Sequence, residues 1–282
     1  RSGVTTVLDY MYAHASEAGL DDAVVEAFEH TGIRGILGRA HTKTDGFPDA
    51  IRCPINETED MFYADVDRLR ERLKGHETVS LALAPGIVWD MDPDGYRRLR
   101  QYADQHGLRI TMHLDETPED DAFTREHYGM NTAELLDQTG ILGEDFIGAH
   151  LVHLDATTLE IFGRRRIKCS HNPVSNLLLA SGVAPIPTLK RIGLDVGLGT
   201  DGAASNDTQN MLEVINKQYI TTAIAKGLST RRAVFVHAFR NSLIPLVTLM
   251  ASILPALLGG TTTRPERRVV APGGSPGTLK AR

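Results

Sequence analysis

Seven times along this chain a short apolar or β-branched run gives way to a longer amphipathic stretch, and that alternation constrains the fold more than any other feature. The runs are GVTTVLDY (3–10), IRGILGRA (33–40), TVSLALAP (78–85), LRITMHLD (108–115), FIGAHLV (146–152), RIKCSHN (166–172) and LDVGLGTD (194–201). Between them lie segments such as DDAVVEAFEHTG, DVDRLRERLKG and PDGYRRLRQYADQHG, with apolar residues at helical spacing and a terminal Gly that suits a helix C-cap. A strand followed by a crossover helix, repeated, builds a parallel sheet. The expectation is an α/β fold: a (β/α)8 TIM barrel, incomplete, with about seven βα units and strand one missing. At 282 residues such a barrel fits as one domain.

Residues 1–230 carry this pattern. From Arg231 to Arg282 the basic residues outnumber a single acid, Glu266, and the chain ends in TTTRPERRVVAPGGSPGTLKAR. Residues 231–282 are therefore expected to be an atypical basic, apolar, Pro- and Gly-rich tail, either a flexible surface tail or, the favoured reading, a segment foreign to the fold of the kind a shifted reading frame produces. Asn241 to Thr263 is uncharged, but Pro245 and Pro255 interrupt its apolar part, which is shorter than the roughly 20 residues a membrane span needs. No membrane span is expected.

A formal charge of -6 disfavours nucleic acid, whose phosphates call for clustered Lys and Arg, and leaves a small molecule as the expected partner. Two cysteines, Cys53 and Cys169, make neither a disulfide framework nor a CxxC metal pair, so a reducing cytoplasmic setting is expected.

Polar and ionisable side chains collect at the C-terminal ends of the runs: His113 with Glu116, His150 with His153, His171 with Asn172, and Asp201. In a (β/α)8 barrel that rim is where active sites are built. Imidazole ligates zinc or iron, and a carboxylate just beyond it can reach a bound water without binding metal; otherwise His113 is a rim histidine bonded to a loop. His150 ends its run and suits a ligand, a proton carrier or an electrostatic stabiliser, whereas His153 suits loop support. HNPVSNLLLASG places His171 and Asn172 toward a pocket, with Ser175 or Asn176 as a helix cap. Asp201 either ligates metal and accepts a proton from water, or forms an Asp-Gly turn.

In this order, His113 to Glu116, Ala149-His150 with His153, HNPVSN with LASG, and GTDGAASND closely resemble the amidohydrolase superfamily. The nearest branch holds the S-adenosylhomocysteine, guanine and cytosine deaminases and the triazine hydrolases. The resemblance covers about Ser2 to Lys226. It implies one divalent metal, zinc or iron, at the barrel mouth, with His113 and Asp201 as metal ligands. Glu116 would be the proton-shuttling acid/base, and His150 would assist the attacking water. With Asp201 these form the catalytic set, and His171 and Asn172 lie near substrate. The implied reaction is hydrolysis of a C–N bond outside peptides, foremost deamination of a nucleobase-like ring, with chlorohydrolysis or N-dealkylation of a triazine as the alternative. The family also carries an HxH ligand pair on strand one, and this sequence has no HxH and begins at what resembles strand two. The expectation is weak metal binding by the two ligands present, and an inactive remnant is a further alternative. Homodimers are common in the family.

Overall fold

Each of the seven apolar runs forms a strand in the computed structural model, which describes residues 3–14, 19–42, 57–206 and 208–211. They are β1 (Thr6–Met11), β2 (Arg34–His41), β3 (Val79–Pro85), β4 (Arg109–Leu114), β5 (Phe146–His150), β6 (Lys168–His171) and β7 (Asp195–Leu198). The helices are α1 (Leu20–Thr31), α2 (Glu59–Arg72), α3 (Pro93–His106), α4 (Pro118–Tyr128), α5 (Thr132–Thr139), α6 (Ala156–Arg165), α7 (Pro173–Leu178) and α8 (Ile186–Arg191). All pairings are parallel and the spatial order is β1-β2-β3-β4-β5-β6-β7, each strand beside its sequence neighbour. This is an incomplete (β/α) barrel. The expected tail at 231–282 and the apolar stretch at 241–263 lie outside the described residues. Among the described residues no helix is long and apolar enough to cross a membrane.

The helices form where sequence supplies both an end signal and an apolar stripe. In α3, Asp92 accepts a hydrogen bond from the Gly95 N–H, Pro93 occupies the first turn, and Gly107 closes the helix at φ 64°. Its buried residues Tyr96, Leu99 and Ala103 recur at helical spacing and meet the sheet. Burying a side chain of this size contributes roughly 1.5–3 kcal/mol, and Leu99→Ala would cost about 2–5 kcal/mol because the site cannot fully collapse. Helix α5 carries a full capping box between Asn131 and Glu134. Helix α2 begins six residues before the amphipathic run starting at Asp65, because Thr58 caps it through the Met61 N–H.

Strands β2 and β3 are buried on nearly every residue, as expected for a parallel sheet covered on both faces, whereas β1 and β7 are largely open. Gly35 in β2 is needed for close packing: a Cβ there would stand 2.3 Å from the Phe28 ring of α1. At the end of β2, buried Arg39 makes a two-pronged pair with Glu57 at 2.8 and 2.7 Å and reaches Asp65 of α2 at 2.8 Å. Register then sets the rim. His113 pairs with Ala149, Leu114 with His150, and His171 with Leu198, so the three histidines emerge at the same end of the sheet.

Candidate active site

On β4, Ile110, Met112 and Leu114 alternate with Thr111 and His113, so His113 leaves the strand on the opposite face from that apolar set. Its Nδ1–H donates to the Gly86 carbonyl at 3.1 Å, and its backbone N–H reaches the same oxygen at 3.2 Å. Nε2 is thereby left with its lone pair, the form a metal ligand requires. A Cβ on Gly86 would lie 1.9 Å from Oδ2 of Asp90, so the Asp90 carboxylate that holds the Ile87 N–H at 2.8 Å would have to shift. The Tyr10 ring meets His113 edge-on at 4.5 Å, and its hydroxyl donates to the Pro85 carbonyl at 2.7 Å, tying β1 to β3 beside the site. Desolvation, reinforced by the neighbouring His150, holds the His113 pKa below the ordinary histidine value.

His150 is the last residue of β5 and sits at φ 77°, a conformation that non-Gly residues rarely adopt and that concentrates at functional sites. Its Nδ1–H donates to Oδ1 of Asn176 at 2.7 Å, both side chains being buried. Nε2 then points toward Oε2 of Glu116 at 3.5 Å and has no hydrogen-bond partner. Two facing acceptor atoms at this distance make a natural seat for a shared proton. The rings of His113 and His150 stack at 5.4 Å.

Glu116 is held from three directions. Ser181 Oγ donates to Oε1 at 2.8 Å, His150 stands beside Oε2, and the Glu116 N–H donates to Asp120 Oδ2 at 3.0 Å. Burial pushes the Asp120 carboxyl up to about 7, against the lowering effect of that same N–H bond. Asp115, at φ 48°, offers its carbonyl to the N–H groups of Val152 and His153, locking the end of β4 to that of β5.

Asp201 lies three residues beyond β7 at φ 62°. Burial alone would raise its pKa, but hydrogen bonds from Ser175 Oγ and the Gly202 N–H outweigh that and hold it below the usual carboxylate value. His171 ends β6 with Nδ1 unpartnered, and burial, then His150, depresses it to about 4, so it is neutral at physiological pH. Asn172 turns toward Ser170, whose hydroxyl bonds Oδ1 at 3.2 Å, and toward Gly199, where a Cβ would approach that oxygen to 2.0 Å. His153 donates from Nε2 to the Ser181 carbonyl at 2.7 Å and supports the loop.

Of the residues singled out from sequence, His113, His150 and Glu116 stand together at the ends of β4 and β5, with His171, Asn172 and Asp201 at the ends of β6 and β7. Ser175 and Asn176 do not cap α7. Asn172 takes the cap position before Pro173, which moves the helix start upstream and turns Ser175 and Asn176 inward to Asp201 and His150. Tyr10, Gly86 and Ser181 carried no isolated sequence signal; each acts through a partner more than 25 residues away.

The donors present suit a divalent zinc-type cation: an imidazole Nε2 fixed by a carbonyl on its other nitrogen, and an ionised carboxylate. They fit part of a shell. Among the described residues no group of three or more His, Cys, Asp or Glu converges on one metal position, whereas catalytic zinc takes three protein ligands.

The fold is an incomplete parallel (β/α) barrel whose C-terminal rim is lined by histidines and carboxylates. Residues 1–257 match the Amidohydrolase family, and the chain belongs to it. It is 33% identical over 217 residues to 5'-deoxyadenosine deaminase of Methanopyrus kandleri, covering 76% of this chain and 46% of that protein. It is 37% identical over 213 residues to 5-methylthioadenosine/S-adenosylhomocysteine deaminase of Thermococcus kodakarensis, covering 76% and 47%. Among solved structures, atrazine chlorohydrolase of Arthrobacter aurescens TC1 complexed with zinc superposes with a TM-score of 0.67 at 28% identity, covering 74% of this chain and 47% of that one. The chain spans about half the length of the relatives it matches.

Proposed function

We propose that this chain carries the rim of a metal-dependent hydrolase that deaminates an adenine-type nucleoside. The observation that carries the reading is the Glu116 carboxylate, gripped by Ser181 and standing 3.5 Å from His150 Nε2 beside the tautomer-fixed His113. The similarity to deaminases of 5'-deoxyadenosine and 5-methylthioadenosine supports the substrate class.

In this mechanism His113 Nε2 and Asp201 would hold part of the shell of one divalent cation, zinc or iron, which would supply Lewis acidity toward the attacking water. Asp201 and His150 take the proton of the attacking water. Glu116 passes a proton to the ring nitrogen next to the attacked carbon, and then one to the departing amine. Water adds across the C=N bond, the C–NH2 bond breaks, ammonia leaves and a ring carbonyl remains. His171, neutral and half-buried, and Asn172 border the substrate. The barrel part is 1–230, with 231–282 as a tail. A cytoplasmic setting, a homodimer and a small-molecule partner complete the proposal.

A second reading keeps the residues and changes the leaving group to chloride or an alkylamine, supported by the likeness to atrazine chlorohydrolase. The test is a panel of aminopurine nucleosides, pterins, pyrimidines and chlorotriazines given to zinc-supplemented protein, with ammonia and chloride both measured. Ammonia from a nucleoside supports the first reading and chloride from atrazine the second. Neither product from any substrate sinks both and leaves a non-catalytic remnant.

A further inference from the structure

We infer that Ser181 is a positioning residue for Glu116, and that its loop is built to hold the proton-transferring carboxylate in one place; this rests on the deaminase reading above. Ser181 is nearly buried, at 7% exposure, and its hydroxyl donates to Oε1 of Glu116 at 2.8 Å. Its own carbonyl accepts from His153 Nε2 at 2.7 Å, so the residue is fixed from both ends. The loop is also constrained by its backbone. Ala180 before it sits at φ 61° and Gly182 after it at φ 128°, where a Cβ would meet Val152 at 2.8 Å. A left-handed Ala is strained and persists only where the surroundings over-determine it. The Gly182 N–H completes the turn on the Asn176 carbonyl at 3.2 Å, and Asn176 is the residue that orients His150.

One short segment, Asn176 to Gly182, therefore grips both partners of the proton relay, His150 through Asn176 and Glu116 through Ser181. The carboxylate has two chemically similar oxygens and a side chain with three torsions. Among the described residues, the Ser181 hydroxyl is the group that bonds Oε1 and so selects the rotamer that keeps Oε2 facing His150. The role is geometric, so it bears on turnover and not on ground-state affinity.

The experiment compares wild type with Ser181→Ala, Ser181→Thr and Glu116→Gln, using 5'-deoxyadenosine and zinc-supplemented protein, together with crystal structures of wild type and Ser181→Ala. Ser181→Ala is expected to lower kcat about tenfold, as the loss of one charge-assisted hydrogen bond allows, with KM changed by less than about twofold. Ser181→Thr, which keeps the hydroxyl, is expected to restore kcat, and the Ser181→Ala crystal structure to place the Glu116 carboxylate away from His150. If Ser181→Ala turns over like wild type while Glu116→Gln is dead, the positioning role is overturned and the deaminase reading stands. If wild type and every variant are inert, the deaminase reading fails and the crystal structures decide: an unmoved Glu116 overturns the inference, a displaced one upholds it.

Discussion

Replacing Asp120 with Asn should stabilise the protein, and by an amount that depends on pH. Asp120 is 1% exposed, Oδ1 stands buried without a close hydrogen-bond partner, and Oδ2 accepts from the Glu116 N–H at 3.0 Å. Burial, with the charges of Glu116 and Asp121 adding to it, raises the carboxyl from 3.8 to about 7. A rise of that size corresponds to about 4 kcal/mol. The sign follows from proton binding. Between pH ~4 and ~7 the folded state holds a proton that the unfolded state has released, so stability falls as pH rises through that window, and the full cost is present by pH 8. Asn is neutral at every pH and keeps an acceptor for the Glu116 N–H, and the extra strength of a charged acceptor is already contained in the value of about 7. The net gain is about 4 kcal/mol at pH 8 and about 2 kcal/mol at pH 5, where the unfolded carboxyl is already ionised. Urea unfolding of wild type and Asp120→Asn at both pH values measures this directly. A difference that is the same at pH 5 and pH 8 would refute the reasoning, because a pH-independent effect cannot come from ionisation of Asp120.

Gly35→Ala should destabilise by about 1–3 kcal/mol in the same unfolding assay, since its Cβ would fall 2.3 Å from the Phe28 ring and α1 would have to retreat from β2. Asn176→Ala leaves the buried His150 Nδ1 without an acceptor, so it should cost about 1–3 kcal/mol of stability and also lower turnover; a variant as stable as wild type would show that His150 finds another partner. His113→Ala and Asp201→Ala should each weaken zinc retention in equilibrium dialysis, whereas Glu116→Gln should leave it unchanged.

Much of the fold was legible because a parallel barrel writes itself locally. The apolar runs at 33–40 and 78–85 became β2 and β3 within a residue, and Gly32 and Gly107 stopped the helices before them as read. The rim was legible for the same reason: His113, His150 and His171 sit at strand ends, and register alone aligns them. What was not legible acts at long range. Ser181 meets Glu116 across 65 residues, and Gly86 fixes the His113 tautomer across 27. Asn176 looked like a cap because its neighbours are turn formers; only the placement of Pro173 in the first turn reveals that it lies inside α7.

The most direct test of the central claim is ammonia release from 5'-deoxyadenosine by wild type and Glu116→Gln at matched zinc content. The account predicts release by wild type and none by Glu116→Gln, with equal zinc in both. Equal release by the two proteins, or none by either, would contradict it.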